Sequence, residues 1–296
     1  MNDSALITVG LPIALAIIMF GLGLSLTIDD FRRVARSPKA VVVALVIQVL
    51  LLPPVAFGLV LAFDLDPLLA VGVMLLAASP GGTTANLFSH LFHGDVALNI
   101  SLTAINSVLA AVSIPLITNL AISYFDADGE LGLQFGKVLQ VIAIVLVPVA
   151  IGMVVRRRAL DFANRADKPV RIFSIVVLVL VAFGALIGER ENFGEYLGDV
   201  GLVTAIFCLA SLSIGYAGAR ILRLGQPQAV ATSMEVGIHN TTMALTIALS
   251  VLNSVEVAVP SAVYSFVMYV LATGFGFLIT RGSRSHDDRP ARQPVR

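Results

Sequence analysis

Long apolar runs, a scarcity of charge and basic residues confined to alternate connections predict an all-α membrane protein with nine transmembrane helices. Of the 296 residues, 57% are hydrophobic and only 13% charged, whereas a soluble globular chain carries about a quarter charged residues. That is too little charge to cover a water-facing surface. Net charge is zero, which implies no nucleic-acid surface. The single cysteine, Cys208, lies inside an apolar run. One cysteine excludes a disulfide framework and a thiolate metal cluster.

The spans follow in chain order, each long enough for the roughly 20 residues that cross a bilayer. The first is Ala5 to Thr27. It lacks the basic start of a signal peptide and is too long for a signal's apolar core, so it is read as a helix. The second is Ala40 to Phe63, the third Leu68 to Phe92 and the fourth Ala97 to Phe125. Lys137 to Val155 and Val170 to Gly188 are the fifth and sixth. Val200 to Leu222, Gln228 to Leu252 and Ala258 to Thr280 complete the set. Residues 5–280 are expected to form one integral membrane domain. The polar stretch 281–296 reads as a disordered tail. With no tryptophan, the interfacial aromatic belt rests on Tyr and Phe.

Orientation follows from the connections. Of the 19 Lys and Arg residues, 17 fall after the first, fifth and seventh spans or in the tail; only Lys137 and Arg190 lie opposite. The opposite connections are acidic, with Asp64, Asp66, Asp126, Asp128, Glu130, Glu189, Glu191, Glu195 and Asp199. The positive-inside rule therefore places the C-terminus in the cytoplasm and the N-terminus outside, in a cell membrane. A miscounted span would scramble this alternation.

Glu235 breaks the pattern by lying inside an apolar run, between Met234 and Val236. A charge at mid-bilayer costs on the order of 3 kcal/mol on insertion scales. Such a residue faces protein or water and finds a partner. A hydrogen bond to a neighbouring helix is one such partner. A bound cation is the more economical one, because no basic residue is available within the membrane to pair with it. Glu235 opens the polar string Glu235-Val-Gly-Ile-His-Asn-Thr-Thr242. The third span carries a matching interruption, Ser79-Pro-Gly-Gly-Thr-Thr-Ala-Asn86. Pro80 removes a helix hydrogen bond and its two following glycines permit unwinding. At lipid depth, irregular backbone is tolerated only where it is buried in protein or lines a cavity. One kink is common; two polar interruptions at mid-span point to a binding site. Half-helix N-termini attract anions and C-terminal carbonyls coordinate Na⁺. Asn99 and Thr103, four residues apart, share a helix face, and Gln48 lies in the middle of the second span. With Glu235 they make a plausible cage of hard oxygen donors. The interrupted third and eighth spans hold equivalent places in two four-helix halves joined by one linking helix. An odd linker inverts the second half, giving an inverted-repeat transporter.

Three stretches carry a family resemblance: Met19-Phe-Gly-Leu-Gly-Leu24; Ser79 to Asn86 followed by Gly94-Asp-Val-Ala-Leu98; and Glu235-Val-Gly-Ile-His-Asn240. In order and spacing, across nearly the whole chain, they resemble the bile acid:sodium symporter family. The resemblance implies Na⁺-coupled symport of a small organic anion by alternating access, with Na⁺ as the coupling ion and no cofactor. One Na⁺ site would use Asn86, Asn99, Thr103 and Glu235. A second would use Gln48, Glu235 and His239 with backbone carbonyls near Val236 and Ile238. Thr83 and Asn240 would contact substrate, beside Gly82, Met268 and Tyr269. A core (about 40–125 and 200–280) would move against a panel (about 5–27 and 137–188), with the two broken helices crossing in the core. The chain departs from family patterns at Ala85, where some members have a serine ligand, and at His239, where well-known members have glutamine. Met268-Tyr269 replaces a polar pair found near the substrate in some members. Imidazole is a poor Na⁺ ligand and titrates near neutrality, so proton-coupled or uncoupled carriage is the alternative; a simple hydrogen bond to neighbours also fits. An intramembrane enzyme is disfavoured: Glu235-x-x-x-His239 is not a zinc protease motif, and no serine or cysteine nucleophile stands beside it.

Overall fold

The computed structural model describes residues 10–33, 37–127, 135–188 and 193–281. The first residues of the first span, the acidic residues Asp128, Glu130, Glu189 and Glu191, Arg190 and the tail after Arg281 lie outside the described residues. Helix α1 is Leu11–Ser25 and α2 the short Ile28–Arg33. The second predicted run is one helical rod in three pieces: α3 Pro38–Leu45, a π-helical turn Val46–Leu51 and α4 Leu52–Ala62. Then follow α5 Pro67–Ala78, α6 Thr83–Leu91, α7 Val96–Tyr124, α8 Phe135–Arg158 and α9 Leu160–Gly188. The chain continues with α10 Phe193–Ile221, α11 Gln226–Gly237, α12 Thr241–Ser250, a single 3₁₀ turn Glu256–Ala258, and α13 Val259–Arg281. Helix thus forms the body of every predicted apolar run among the described residues, with breaks at 79–82 in the third and 238–240 in the eighth. Four stretches are long and apolar enough to cross a membrane unbroken: Pro38–Ala62, Val96–Tyr124, Val200–Ile221 and Glu256–Arg281.

Two boundaries differ from expectation. Helix α9 begins at Leu160 rather than Val170, and α10 at Phe193 rather than Val200. Apolarity marks only the part of a helix that lies in hydrocarbon. Backbone hydrogen bonding continues past it, through Arg165 and Lys168 in α9, because a polar helix end is satisfied by water. The π turn in the second rod has a local cause. Pro53 and Pro54 lack the N–H groups that Val49 and Leu50 carbonyls would accept. The preceding turn loosens, and the Leu52 N–H reaches Ile47 O instead.

The outer helix faces are apolar: Leu50, Val112, Leu120, Leu180, Ile221, Val270 and Leu278 are all exposed. The polar side chains are instead gathered inside, where Gln48, Asn99, Thr103, Asn106, Glu235 and His239 are buried. This is the arrangement expected of a protein dissolved in lipid. Helices α8 and α9 pack on α1. The contact of α1 with α8 is a backbone-to-backbone approach. A Cβ on Gly23 would lie 2.2 Å from Val149 O, and one on Gly152 would lie 2.3 Å from Phe20 O. Small residues permit such approaches between helices in membranes, and this is the packing role of the Phe20-Gly-Leu-Gly23 motif. Arg156 then donates to Leu24 O at 2.8 Å, closing the C-terminal end of α1. Helix α10 packs on α11 and α13, while α7 packs on α5, α6 and α11. The two groups touch where α9 meets α13 and α12, where α8 meets α7 and where α12 meets α1.

Candidate functional site

The interruptions of the third and eighth runs meet each other. Gly82 N donates to Ile238 O at 2.7 Å and Asn240 N donates to Pro80 O at 2.8 Å. Gly81 and His239 thereby form an antiparallel bridge between two broken helices. Each break satisfies polar backbone that the other exposes, which is how irregular chain survives among apolar helices. The break after α5 is stopped by Ser79, whose hydroxyl and N–H both reach Leu76 O, at 2.7 Å and 3.0 Å. Helix α12 restarts on Asn240, whose Oδ1 accepts from Met243 N at 3.1 Å as an N-cap.

Glu235 sits one turn before the second break with no solvent exposure. Its carboxylate lies directly over Gly81, where a Cβ would come within 2.3 Å of Cδ and Oε1. Gly81 is needed for this approach as well as for unwinding. Oε2 accepts from Thr103 Oγ1 at 2.6 Å and Oε1 from Asn106 Nδ2 at 2.9 Å. Hydrogen bonds to a charged group contribute about 1.5–3 kcal/mol each. They offset part of a burial penalty of several kcal/mol but supply no positive charge. Among the described residues the ion pair present is Arg32–Asp29, on the surface. The carboxylate has accepted one donor per oxygen, and roughly half of its four lone-pair positions remain.

Other oxygens around this acid are turned inward without donors. Asn99 Nδ2 donates to Ala231 O at 2.8 Å, one turn before Glu235, and leaves Asn99 Oδ1 unpartnered. Asn106 Oδ1 and Asn86 Oδ1 are likewise buried and unpartnered. Gln48, carried on the π turn, donates from Nε2 to Ser79 O at 3.0 Å and leaves Oε1 unpartnered. A π turn inside an α-helix frequently marks a functional position. His239 meets Gln48 at that same carbonyl, with Nδ1 3.2 Å from Ser79 O. A protonated Nδ1 makes that contact favourable, and Nε2 is buried without a partner. The ring is stacked on Phe207 at 5.4 Å and meets the edge of Tyr264. The Tyr264 hydroxyl donates to Gly237 O at 2.9 Å, fixing the last carbonyl of α11. A set of neutral oxygens around one carboxylate suits a hard monovalent cation. Among the described residues no three His, Cys, Asp or Glu side chains gather as a site for softer metals.

Beside the crossing lies a cavity of about 420 Å³. All five residues expected at the substrate, Gly82, Thr83, Asn240, Met268 and Tyr269, line it. Of the expected cation ligands, Asn86, Thr103 and His239 line it too. Ile18, Met19, Leu22 and Leu26 of α1 and its C-terminal end close the opposite wall with apolar side chains. Tyr269 stacks on Phe88 at 5.9 Å, holding the ring at the rim. Of the two backbone carbonyl positions, Ile238 O is engaged by Gly82 N, while Val236 lies in the last turn of α11. Ala85 is fully buried and contributes no side-chain oxygen. Asn106 was missed by sequence reasoning, although its spacing of seven from Asn99 and three from Thr103 puts it on their helix face.

Paired helix breaks that bond to each other around a buried acid, at the wall of a cavity, define the transporter class of membrane proteins. The sequence comparisons name the family. The chain belongs to the sodium bile acid symporter family, whose profile matches residues 12–196. It is 32% identical over 258 residues to a Bacillus subtilis protein named as an uncharacterized sodium-dependent transporter, covering 86% of this chain and 78% of that one. It is 28% identical over 246 residues to the human ileal sodium/bile acid cotransporter, covering 82% and 70%. It is also 28% identical over 268 residues to an Arabidopsis thaliana chloroplastic protein named as a probable sodium/metabolite cotransporter. The chain spans 64% of that relative's length.

Proposed function

We propose that this chain is a Na⁺-coupled symporter of a small organic anion, working by alternating access across a cell membrane through nine crossings. The observation that carries this reading is Glu235, a fully buried carboxylate at the bridge between two broken helices with hydrogen-bond donors but no cationic partner among the described residues. Na⁺ supplies the missing charge. Glu235, Thr103, Asn99 and Asn86 form one cation position; Gln48 and the carbonyls around Val236 and Ile238 contribute to another near His239. The relatives named as sodium-dependent transporters and cotransporters support the choice of ion.

The anion occupies the neighbouring cavity. Helices α6 and α12 both start at its wall, at Thr83 and Thr241. Helix α6 has no side-chain cap; Ala85 N turns back to Gly82 O at 2.9 Å, which leaves the Thr83 and Thr84 amides to bind a carboxylate at the positive end of the helix. The apolar remainder of the wall takes a hydrocarbon body, and the volume is that of a small-molecule site. Coupling follows from geometry: the bridge that carries the cation ligands is the same backbone that carries the amide donors. Emptying the cation sites leaves Glu235 uncompensated against Gly81 and loosens both helix starts. The group α1, α8 and α9 rocks against the remaining helices, and the basic connections place the C-terminus inside.

Uptake of a panel of organic anions into proteoliposomes, with and without an inward Na⁺ gradient, tests this. The Na⁺ gradient is expected to drive accumulation, and Glu235→Gln to abolish the gradient's effect. Equal uptake of a verified substrate in Na⁺ and K⁺ would remove Na⁺ coupling. A second reading rests on His239: its unpartnered Nε2 is a proton acceptor, so a proton can replace one Na⁺. Accumulation driven by a pH gradient alone, and lost in His239→Gln, would favour it.

A further inference from the structure

One face of α6 belongs to the cavity wall. Thr83, Leu87 and His90 follow one another at spacings of four and three, so they stand in a single row along the helix. All three are exposed and all three line the cavity. Ala85 and Ser89, on the opposite face, are buried. The row begins at the Thr83 and Thr84 amides and ends at an imidazole. At about 1.5 Å per residue, His90 lies about 10 Å along the axis from Thr83. Leu87 stands between them, and Met19 and Leu22 of α1 add apolar wall.

The charge available in this wall is one-sided. The described lining residues include no Asp, Glu, Lys or Arg; the side chains among them that titrate are His90, His239 and Tyr269. His239 is buried and turned to Ser79 O. The Tyr269 ring is stacked on Phe88. His90 is therefore the exposed lining group that can meet an anion as a cation. Its imidazole has no carboxylate partner among the described residues. It donates one N–H when neutral and two when charged. A wall with amide donors at one end, a donor imidazole at the other and hydrocarbon between them selects its ligand by length. A short acid reaches one end only.

We infer that His90 is a specificity-determining residue that holds a second acidic group of the substrate, so that the anion taken is an elongated dicarboxylate rather than a simple monoacid. This rests on the organic-anion reading above and narrows it to a substrate class. One carboxylate takes the Thr83 and Thr84 amides, the hydrocarbon lies along Leu87, and the other carboxylate accepts from His90. A span of about 10 Å is beyond the reach of succinate and suits a chain such as suberate.

Thermal stabilisation of the whole protein in Na⁺ is titrated with suberate, monomethyl suberate and succinate. The methyl ester keeps the length and removes one charge. The wild-type midpoint for suberate is expected to lie tenfold or more below those of the other two. His90→Leu is expected to bring the ratio of suberate to monomethyl suberate midpoints near one. His90→Gln keeps an N–H donor without the charge and is expected to leave an intermediate ratio. Equal midpoints for suberate and its monoester in the wild type would overturn the inference and leave the organic-anion reading intact, as would suberate that binds no better than succinate. A histidine in the last turn of a helix also offsets the helix dipole. If that were its whole role, His90→Leu would melt lower and keep the wild-type ratio, and that result would overturn the inference too. Suberate binding that is the same in K⁺ as in Na⁺ would remove the Na⁺ coupling, with the ratio still deciding the part of His90.

Discussion

Between α5 and α6 the chain reads Ser79-Pro-Gly-Gly; between α11 and α12 it reads Ile238-His-Asn. The first break contributes almost no side chain. Its proline withholds an N–H, its glycines withhold Cβ atoms, and its carbonyls do the work: Ser79 O receives Gln48 and His239, while Pro80 O receives Asn240 N. The second break contributes side chains: the acid one turn before it, the imidazole within it and the Asn240 cap after it. The difference teaches that a crossing of two unwound segments needs only one chemically rich partner. The other supplies room and acceptors, and the two roles are bound by backbone hydrogen bonds.

The sharpest way to break this comparison is to give the poor partner a side chain. In Gly81→Ala the new Cβ would fall on the Glu235 carboxyl group. Overpacking costs about 1–3 kcal/mol, and here the atoms that must move are the proposed cation ligands. We expect a lower melting temperature and a Na⁺ midpoint raised tenfold or more, tenfold being about 1.4 kcal/mol. A Gly81→Ala protein that titrates with Na⁺ like the wild type would show that Glu235 does not need the space above the first break.

A smaller effect is expected on the rich side. Asn240→Ala removes the acceptor for Met243 N, a cap contributing about 1 kcal/mol. Asn240→Asp keeps the cap but sets a negative charge in the cavity wall. Melting curves should therefore separate the two, with Ala less stable and Asp near the wild type. Binding of the organic anion should fall in both and most in Asp. Equal anion affinity in Asp and wild type would place the carboxylate of the substrate elsewhere.

How much of this was legible beforehand divides along the same line. The spans, the two breaks and the isolated acid could be read because apolar run length, proline and a lone charge are local signals. Asn106 lay on the helix face already assigned to Asn99 and Thr103, and only attention to the second step of that face was lacking. The π turn under Gln48 was marked by Pro53-Pro54, a signal for strain that does not say how a helix will absorb it. The starts of α9 and α10 were misplaced because polar residues end a hydrophobic run without ending a helix. The bridge between Gly81 and His239 joins residues far apart in sequence. Nothing local encodes which two breaks will pair, so the resemblance alone brought them together.

The smallest effect sharpens the comparison most. Pro80 looks like the cause of the first break, since a proline favours the extended ψ of 146° that Ser79 adopts, yet the Ser79 hydroxyl also caps α5 by donating to Leu76 O. Pro80 also accepts Asn240 N through its carbonyl, which any residue retains. If the cross-bridge holds the break open, Pro80→Ala costs under ~1 kcal/mol and moves the Na⁺ midpoint by less than about threefold. Hydrogen exchange at residues 79–82 would stay as in the wild type. If the proline holds it, the new N–H joins α5 to α6, exchange there slows, and Na⁺ stabilisation is lost. The first outcome makes the second break the determinant of both, because its backbone, not the proline, fixes where α5 stops.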